Sequence, residues 1–457
     1  MIKESFKKYL EDAIGCDNAL VAFSAFDEPA SVAVRYNPFK SKARMTGEPV
    51  LWSKYGLLLE ERPVFTLDPC FHAGAYYVQD SSSMFVGDVF RKLLGEFDIP
   101  HDRPLRVLDL CAAPGGKTTD LATSLREICG DNFILVANEV MKQRAGILAA
   151  NVALWGDPNV VVTSDDPKAF TSFAGHFDII LADVPCSGEG MFRKDEQACE
   201  QWSTDNVALC EGRQRRIIAD VWPSLADGGL LVYSTCTFNR YENDGNVKWV
   251  ADNLGGCPVF DSPSAPYEGV IPTECGFSLV PGFVKGEGQY CSAVRKLAGG
   301  AIPSEYRQNK ARTSRDKGVS VPDHMKKMFS VDVSFRQRGE TIIALPSSLV
   351  QEISFLESGL NVIAAGCAAG TFKGKDFIPD ADMALSIVLA EDAFPKTELD
   401  LETALAYLHR DAIRLDDAQR GYLMVTYQGL PLGFVKNLGN RCNNLYPQSR
   451  RIRMNVK

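Results

Sequence analysis

Between residues 99 and 298 the chain alternates short apolar runs with amphipathic helical patterns. The apolar runs are rich in Val, Ile and Leu, which is typical of buried strands. The predicted strands are 105–110, 133–138, 159–163, 177–182, 229–235 and, after a Gly-Glu-Gly turn, 289–297. The predicted helices are 117–127, 141–154, 205–226 and 241–253. This alternation predicts βαβ units in an α/β domain with a largely parallel sheet.

The segments on either side of this domain have different patterns. Residues 1–98 mix helical and strand patterns, open with an amphipathic helix, and predict an α+β module. Residues 299–323 are polar and basic without apolar periodicity, and we interpret them as a linker. The region 324–457 ends in two β-rich runs joined by Gln428 and Gly429, which predict a small β-rich module. We expect removal of residues from about 324 onward to leave binding to the α/β domain's cofactor site intact.

Composition is that of a soluble globular protein, with 45% hydrophobic and 23% charged residues. The chain shows no targeting segment and no apolar stretch long enough to span a membrane. Its 13 cysteines are scattered, without the C-x-x-C spacing of a zinc site or the pattern of a disulfide framework. We therefore expect a cytoplasmic protein with reduced thiols and no bound metal, and we expect a monomer.

The net charge of −9 argues weakly against a nucleic-acid partner, but the charges are unevenly distributed. The segment 436–457 has six basic residues and no acid: Lys436, Arg441, Arg450, Arg451, Arg453 and Lys457. A second basic cluster, at 307–317, lies in the linker. Local basic stripes contact phosphates whatever the overall charge, so RNA is a candidate partner. A solvated tail and a solvated linker are the alternative interpretation.

A turn of small residues follows the first predicted strand of the α/β domain. The turn consists of Cys111, Ala112, Ala113, Pro114, Gly115, Gly116 and Lys117. Small residues let the backbone approach a ligand, and the N-terminus of the next helix offers free N–H groups to an anion such as a carboxylate. The turn lacks the G-x-G-x-x-G spacing that admits a dinucleotide pyrophosphate.

Acids follow the next two predicted strands. Glu139 lies roughly twenty residues after the turn, where an acid usually binds ribose hydroxyls. Asp165 and Asp166 follow the third strand, a position from which an acid can reach an adenine amino group. Two such acids without a phosphate motif favour S-adenosylmethionine over NAD or ATP. The alternative is an ordinary tight turn with Glu139 as a helix-capping acid.

Two cysteines, Cys186 and Cys236, end the fourth and fifth apolar runs, and Asp183 precedes the first of them. Because parallel strands converge at their carboxyl ends, both thiols should line the crevice that holds the cofactor turn. A thiolate that adds to carbon 6 of a pyrimidine activates carbon 5 for methylation. Asp183 could hydrogen-bond ring nitrogen 3, and Lys117 could favour the thiolate. An inert buried cysteine is the alternative.

The segment 187–194, which follows Cys186, has two glycines and ends in Arg193 and Lys194. We predict a flexible loop that closes over a nucleotide and contacts phosphate through these cations. An ordinary solvated surface loop is the alternative.

Three segments together resemble the motifs of the Sun/Nop family of RNA (cytosine-5) methyltransferases. They are DLCAAPGGKT at 109–118, DVPCSGEGMFRK at 183–194 and YSTCTFNRYEN at 233–243. RYNPFK at 35–40 and GAYYVQDSSSM at 74–84 resemble N-terminal signatures of the family. Residues 432–454 resemble the PUA-like tail of its RsmF-type bacterial members. The resemblance therefore extends over nearly the whole chain.

The resemblance implies a Rossmann-like class I methyltransferase domain at 99–298, an RRM-like or ferredoxin-like module at 1–98 and PUA-like RNA-binding modules at 324–457. It implies that S-adenosylmethionine is held by residues 111–117, Glu139, Asp166 and Asp183. By its spacing from the third strand, Asp166 rather than Asp165 matches the family's acid. Cys236 would be the nucleophile, and Cys186 would help to release the product.

The resemblance also implies methylation of cytidine in structured RNA, and we expect 16S ribosomal RNA as the substrate. A transfer-RNA methyltransferase has the same motifs and is the alternative within the class. A non-catalytic RNA-binding assembly factor would not need Cys236, Cys186, Asp183 and Lys117 together. An NAD oxidoreductase is disfavoured because the G-x-G-x-x-G motif is missing.

Overall fold

The computed structural model describes residues 3–40, 45–299 and 317–455. The amphipathic pattern at the N-terminus forms a helix that buries Phe6, Leu10 and Ile14. No helix in these ranges is both long and apolar enough to cross a bilayer. The helices are α1 (Glu4–Ile14), α2 (Cys16–Ala25), α3 (Pro69–His72), α4 (Ser81–Gly95), α5 (Gly116–Cys129), α6 (Lys142–Trp155), α7 (Glu196–Gln201), α8 (Thr204–Val221), α9 (Asp244–Leu254), α10 (Asp323–Lys326), α11 (Val350–Gly359), α12 (Ala381–Leu385) and α13 (Leu401–His409).

Four antiparallel strands form a small sheet in the N-terminal module. They are β1 (Val32–Tyr36), β2 (Glu48–Pro49), β3 (Gly56–Leu59) and β4 (Tyr76–Val78). Their order across the sheet is β2-β3-β1-β4, which is the order of a ferredoxin-like sheet. The residues described between β1 and β2 form no helix, so the module keeps the strand order of that fold with a shorter connection.

A ten-stranded sheet forms the middle of the α/β domain. Its parallel strands are β5 (Leu105–Asp109), β6 (Phe133–Asn138), β7 (Val160–Thr163), β8 (Phe177–Asp183) and β9 (Leu225–Thr235). They lie in the order β7-β6-β5-β8-β9, so the chain reverses its direction of travel at β5. The antiparallel strands beyond β9 are β10 (Gly256–Pro258), β11 (Ile271–Pro272), β12 (Gly276–Leu279) and β13 (Gln289–Lys296).

Helices cover both faces of this sheet because successive strand residues point to opposite sides. On one face Val107 and Leu135 belong to a core with α4, α5 and α6. On the other face Leu108 and Val136 belong to a core with α8 and α9. The predicted α/β domain is therefore confirmed, and its predicted strands and helices agree with the observed bounds to within a few residues. The sheet is mixed rather than largely parallel, because the five central strands are parallel and the flanking strands are antiparallel.

The C-terminal region contains two further sheets. The first has β14 (Lys317–Gly318), β15 (Val333–Arg338), β16 (Thr341–Pro346), β18 (Cys367–Lys373) and β19 (Asp376–Pro379). The second has β20 (Lys396–Glu398), β21 (Gly421–Tyr427), β22 (Leu430–Asn437) and β23 (Cys442–Asn444). Strands β21 and β22 are the two β-rich runs predicted around Gln428 and Gly429. Most of the predicted linker, and the side chains of its basic cluster, lie outside the described residues.

The C-terminal region is packed into the α/β domain rather than attached to its surface. Strand β17 (Val362–Ala365) pairs with β7 and extends the ten-stranded sheet. Ile353 and Leu356 of α11 belong to the same core as the sheet, and Glu352 accepts a hydrogen bond from Arg106 at 2.8 Å. The expectation that removal of residues from about 324 onward leaves cofactor binding intact stays a prediction, although their removal would expose this shared core.

Leu356→Ala tests this packing. Leu356 is fully buried between α11 and the sheet, so its truncation should lower the free energy of unfolding by about 2–5 kcal/mol. Chemical denaturation followed by circular dichroism measures the change. Leu209→Ala is the control, since Leu209 is 68% exposed and should change stability by less than about 0.5 kcal/mol. Equal stability of the two variants would contradict a shared core.

Candidate active site

The carboxyl ends of the five parallel strands meet along one edge of the sheet, on both sides of the point where the strand order reverses. In sheets of this kind ligands bind in the crevice at such a point. Strand β5 leads into the turn 111–117, β6 into Glu139, and β7 into Asp165 and Asp166. Strand β8 ends at Asp183 and leads to Cys186, and β9 leads to Cys236. The topology therefore brings all the residues singled out in the sequence to one edge.

The turn after β5 has a backbone that depends on glycine. Gly115 has φ +114°, a left-handed conformation that favours glycine, and it directly precedes α5. The Ala113–Pro114 peptide is cis. Asn151 and Arg144, both on α6, donate hydrogen bonds to the carbonyl oxygens of Pro114 and Ala113 at 2.7 and 2.8 Å. The turn is therefore held from the side of α6, and the N-terminus of α5 is directed towards the crevice.

The N-terminal module supports this turn through Arg35 of β1. Arg35 is fully buried, and its guanidinium donates to the Gly116 carbonyl at 3.1 Å and to Thr119 Oγ1 at 2.6 Å. Its charge is partnered by Asp120 at 3.6 Å. Sequence patterns gave no reason to assign Arg35 a place at the site, because it lies in a strand 80 residues before the turn.

The acids after β6 and β7 differ in exposure. Glu139 is buried, accepts from the Met141 N–H at 2.9 Å and pairs with Arg144 at 3.1 Å. The Asp165 carboxylate accepts from the Asn361 N–H at 2.8 Å, just before β17. The Asp166 carboxylate is exposed and caps the following turn by accepting from the Lys168 N–H at 3.0 Å. Engagement of Asp165 by the C-terminal region leaves Asp166 as the more accessible acid.

Asp109, at the end of β5, is a buried acid that the sequence analysis did not single out. Its Oδ2 accepts from Thr118 Oγ1 at 2.7 Å, while its Oδ1 has no partner among the described residues. Burial raises the pKa of Asp109 to about 7. A buried carboxylate oxygen that lacks a hydrogen-bond partner, beside the small-residue turn, is suited to a cationic ligand.

The two candidate thiols lie in direct contact, with 3.2 Å between Cys186 Sγ and Cys236 Sγ. The hydrogen bond to Cys236, together with burial, raises the pKa of the Cys186 thiol. Either sulfur atom can be the donor in this contact. The two thiols are therefore close enough to share a hydrogen bond at the carboxyl ends of β8 and β9.

Asp183 and Lys117 form an ion pair beside these thiols. Lys117 Nζ donates to Asp183 Oδ2 at 2.9 Å, and Ser234 Oγ donates to Asp183 Oδ1 at 2.7 Å. Burial disfavours the charged form of Lys117, but the Asp183 carboxylate outweighs burial and the pKa of Lys117 is raised. The lysine is thus a fixed cation, and it interacts electrostatically with Cys236.

Two buried glutamates behind the thiols were missed by sequence reasoning. Glu242 accepts from the Ser187 N–H at 3.0 Å and from Gln214 at 2.6 Å, and burial raises the pKa of Glu242 to about 7. Glu189 accepts hydrogen bonds from the loop that contains Cys236. Both lie in motifs quoted from the sequence, but only the folded structure shows that their side chains are buried and which groups they bind.

One of the two cations of the loop 187–194 is not the solvated phosphate contact that its composition predicted. Arg193 is buried and donates two hydrogen bonds to the Glu287 carboxylate, at 2.8 and 2.9 Å. Lys194 pairs with Asp80 at 3.2 Å. Arg193 is therefore engaged by a carboxylate inside the fold and is not available to phosphate, whereas Lys194 is exposed and its phosphate contact stays a prediction.

A parallel sheet whose carboxyl edge carries a small-residue turn, ligand-facing acids and a pair of contacting thiols defines a class of protein: the S-adenosylmethionine-dependent methyltransferases that use cysteine chemistry. Comparison with known proteins gives the family. The chain belongs to the family of ribosomal RNA small subunit methyltransferase F.

Three family models match the chain. The model for 16S rRNA methyltransferase RsmB/F matches residues 99–261, the N-terminal domain of 16S rRNA methyltransferase RsmF matches residues 2–81, and the methyltransferase RsmF PUA domain matches residues 394–452. The resemblance to the RsmF-type branch of the Sun/Nop family is thereby confirmed.

Similar proteins and structures agree with these matches. Ribosomal RNA small subunit methyltransferase F of Enterobacter sp. (strain 638) is 30% identical, over 97% of this chain and 95% of its own length. The protein of the same name from Serratia proteamaculans (strain 568) is 31% identical over 88% of this chain and 84% of its own. A methyltransferase homolog from Pyrococcus horikoshii has a TM-score of 0.52 at 26% identity, covering 65% of this chain and 95% of its own.

The residues at the crevice fit S-adenosylmethionine, the cofactor of this family. The unpartnered Asp109 Oδ1 suits the positive charge of the cofactor, and the exposed Asp166 carboxylate can accept from an adenine amino group. The N-terminus of α5 can bind the cofactor's carboxylate. Among the described residues, no group of three or more His, Cys, Asp or Glu side chains is placed to hold a metal ion.

Asp109→Asn tests the buried carboxyl. Between about pH 4 and pH 7 the folded protein keeps Asp109 protonated while the unfolded chain ionises, so the wild-type free energy of unfolding falls as pH rises. The slope from this group is at most about 1.4 kcal/mol per pH unit, and the asparagine variant lacks it. We expect the variant to gain stability relative to wild type up to about pH 7 and no further. Denaturant unfolding without cofactor at several pH values measures this; parallel curves would contradict it.

Proposed function

We propose that the protein transfers a methyl group from S-adenosylmethionine to carbon 5 of a cytidine in 16S ribosomal RNA. The single observation that carries the proposal is the contact between Cys186 and Cys236 at the carboxyl edge of the sheet, beside the cofactor turn. Relatives named for the ribosomal RNA small subunit support this substrate over transfer RNA.

Carbon 5 of cytosine is a poor nucleophile, so the ring must first be activated. We assign this step to Cys236: its thiolate forms a bond to carbon 6 of a base extruded into the crevice, and electron density moves to carbon 5. The contact between the thiols supports the assignment, because a neighbouring thiol can donate a hydrogen bond to the Cys236 thiolate. The nearby Lys117 ammonium favours the same ionisation.

S-adenosylmethionine supplies an electrophilic methyl group to carbon 5. Asp183 is assigned to ring nitrogen 3, since its carboxylate is only partly buried and is oriented by Lys117 and Ser234. In its protonated form Asp183 would donate a hydrogen bond to ring nitrogen 3 as negative charge develops on the ring. After transfer, a base removes the proton from carbon 5, the electron pair of that C–H bond restores the double bond, and the Cys236 thiolate departs. Cys186 lies beside the departing sulfur, and we assign the release step to it.

The cofactor roles are assigned to the residues predicted from the sequence. The turn 111–117 would hold the methionine part, Glu139 the ribose hydroxyls and Asp166 the adenine amino group. For Asp166 the support is its exposure, since Asp165 is engaged by Asn361. Glu139 can accept hydrogen bonds from the ribose while it stays paired with Arg144, because a carboxylate has several acceptor sites.

The protein binds RNA, and we propose that the PUA module supplies positively charged contacts. Of the basic residues near the C-terminus, Arg450 and Lys436 pair with Asp382 and Asp376. Arg441, Arg451 and Arg453 are exposed. We further propose that the protein acts in the cytoplasm as a monomer, with domain bounds of 1–98, 99–298 and 324–457. Sedimentation at working concentration tests the monomer, and a dimer would contradict it.

Cys236→Ala should abolish methylation, because it removes the proposed nucleophile and the neighbouring Cys186 is assigned to release of the product. Bisulfite sequencing of total RNA from cells that lack the gene identifies the cytidine that loses protection. Cells that express wild-type protein should regain protection at that cytidine, and cells that express the variant should not. Restored protection by the variant would contradict the nucleophile assignment, and no lost site in 16S ribosomal RNA would contradict the substrate.

Arg451→Gln with Arg453→Gln tests the RNA surface. If each arginine contacts one phosphate, the slope of log affinity against log salt should fall by roughly 0.7–0.9 per residue. Fluorescence anisotropy with the target RNA at several salt concentrations measures the slope. The control is Arg295→Gln. Arg295 is an exposed arginine on β13 that pairs with Leu230, far from the end of β9 that leads to Cys236. An unchanged slope in the double variant would contradict this surface.

A further inference from the structure

The two thiols are carried by different loops, and the strands alone do not set the distance between them. Cys186 lies three residues beyond the end of β8, and Cys236 follows the end of β9. Loops of this kind can adopt several conformations. A separation of 3.2 Å between the sulfur atoms therefore requires contacts that join the loops directly.

Glu189 provides these contacts. It lies three residues after Cys186, it is 1% exposed, and each of its carboxylate oxygens accepts two hydrogen bonds. Oε2 accepts from the backbone N–H groups of Phe238 and Asn239 at 2.7 and 3.0 Å. Oε1 accepts from Trp202 Nε1 and from Asn239 Nδ2, both at 2.9 Å. Two of the donors are main-chain groups directly after Cys236, so the side chain fixes the course of that loop.

Close packing and two further hydrogen bonds also join the loops on the same side. The Gly190 N–H donates to the Cys236 carbonyl at 2.8 Å. A β-carbon at Gly190 would lie 2.6 Å from Gly288 Cα and 2.8 Å from the Cys236 carbonyl oxygen, so only glycine fits. Ser187 Oγ and Thr237 Oγ1 are 3.0 Å apart and form a third link between the loops.

The N-terminal helices support Glu189 from behind. The Trp202 ring, whose N–H donates to Glu189, packs edge-on against Phe6 of α1 with 5.5 Å between ring centroids. Phe6 and Trp202 share a core with Phe238, which is itself one of the donors to Glu189. The N-terminal helices are thus connected to the Cys236 loop through packed side chains and one buried carboxylate.

We infer that Glu189 is a positioning residue for the proposed methyl transfer: it joins the loops of Cys186 and Cys236 and so sets the contact between the two sulfur atoms. The inference rests on the proposed function for its kinetic consequence. The geometry of the loops and the reactivity of the thiols do not depend on that function.

Glu189→Gln is the variant that tests this role. All four partners of Glu189 are donors, so a glutamine amide would direct its own N–H groups at two of them. We expect kcat to fall about 100-fold, as for a small misplacement of reacting groups. Dissociation constants for S-adenosylmethionine and for target RNA should change less than about twofold, because Glu189 lies in neither proposed binding surface.

A second readout does not require RNA or turnover. The rate at which iodoacetamide alkylates Cys236 is followed against pH by peptide mass spectrometry. If the loops separate, the two sulfur atoms lose their 3.2 Å contact, and this profile should shift from that of the wild-type protein. This shift is expected even if the RNA substrate has been assigned wrongly, so the two proposals can fail separately.

Glu287→Gln is the matched control. Glu287 is also a buried carboxylate, and it anchors the same loop through Arg193 without a hydrogen bond to the residues after Cys236. It should leave kcat and the alkylation midpoint near the wild-type values. If it reproduces the Glu189→Gln effects, general loosening of the loop explains them and the inference is overturned. Unchanged kcat and midpoint in Glu189→Gln overturn it as well.

Trp202→Phe covers the case in which Glu189→Gln does not fold. It removes one donor to Glu189 and keeps an aromatic ring against Phe6. We expect a shift of the alkylation midpoint in the same direction and a several-fold lower kcat. A folded Trp202→Phe variant with wild-type values for both quantities would overturn the inference.

Discussion

The contact between the Cys186 and Cys236 sulfur atoms is the interaction on which the account of this protein depends. A cysteine is a better nucleophile as a thiolate than as a thiol, and the thiolate persists only if its surroundings stabilise the charge. Here the neighbouring groups are a second thiol in contact with Cys236 and a lysine held by Asp183. Both require two loops on neighbouring parallel strands to be fixed with a precision that the strands do not provide.

The modules around the α/β domain help to fix the position of these loops and of the cofactor turn. Arg35, from the N-terminal sheet, lies under the cofactor turn, and α1 packs against Trp202. Strand β17 and α11 complete the sheet and its core on the side of Asp165. The last β module shares a core with the N-terminal sheet, in which Val34 and Tyr76 pack with Leu423 and Tyr446. The modules on either side of the α/β domain therefore also stabilise the site.

Much of this could be predicted from the sequence, since apolar runs and small-residue turns are local signals. The strands of the sheet were predicted correctly, and the turn 111–117 and the two cysteines were correctly placed at the carboxyl ends of those strands. Glu189, Glu242 and Arg35 could not be assigned, because their partners lie far away along the chain. Arg193 was misjudged for the same reason: its composition-based role was a phosphate contact, whereas the fold pairs it with Glu287. Long-range pairing of charges is not visible in a local pattern.

The most direct test of the roles assigned to the two thiols is to incubate Cys186→Ala with target RNA and S-adenosylmethionine and to look for a covalent adduct. If Cys236 attacks and Cys186 assists release, this variant should accumulate an RNA adduct that resists denaturation, and mass spectrometry should find the cytidine on the peptide that contains Cys236. An adduct formed by Cys236→Ala through Cys186 would reverse the two roles. The absence of an adduct in both variants would contradict covalent catalysis.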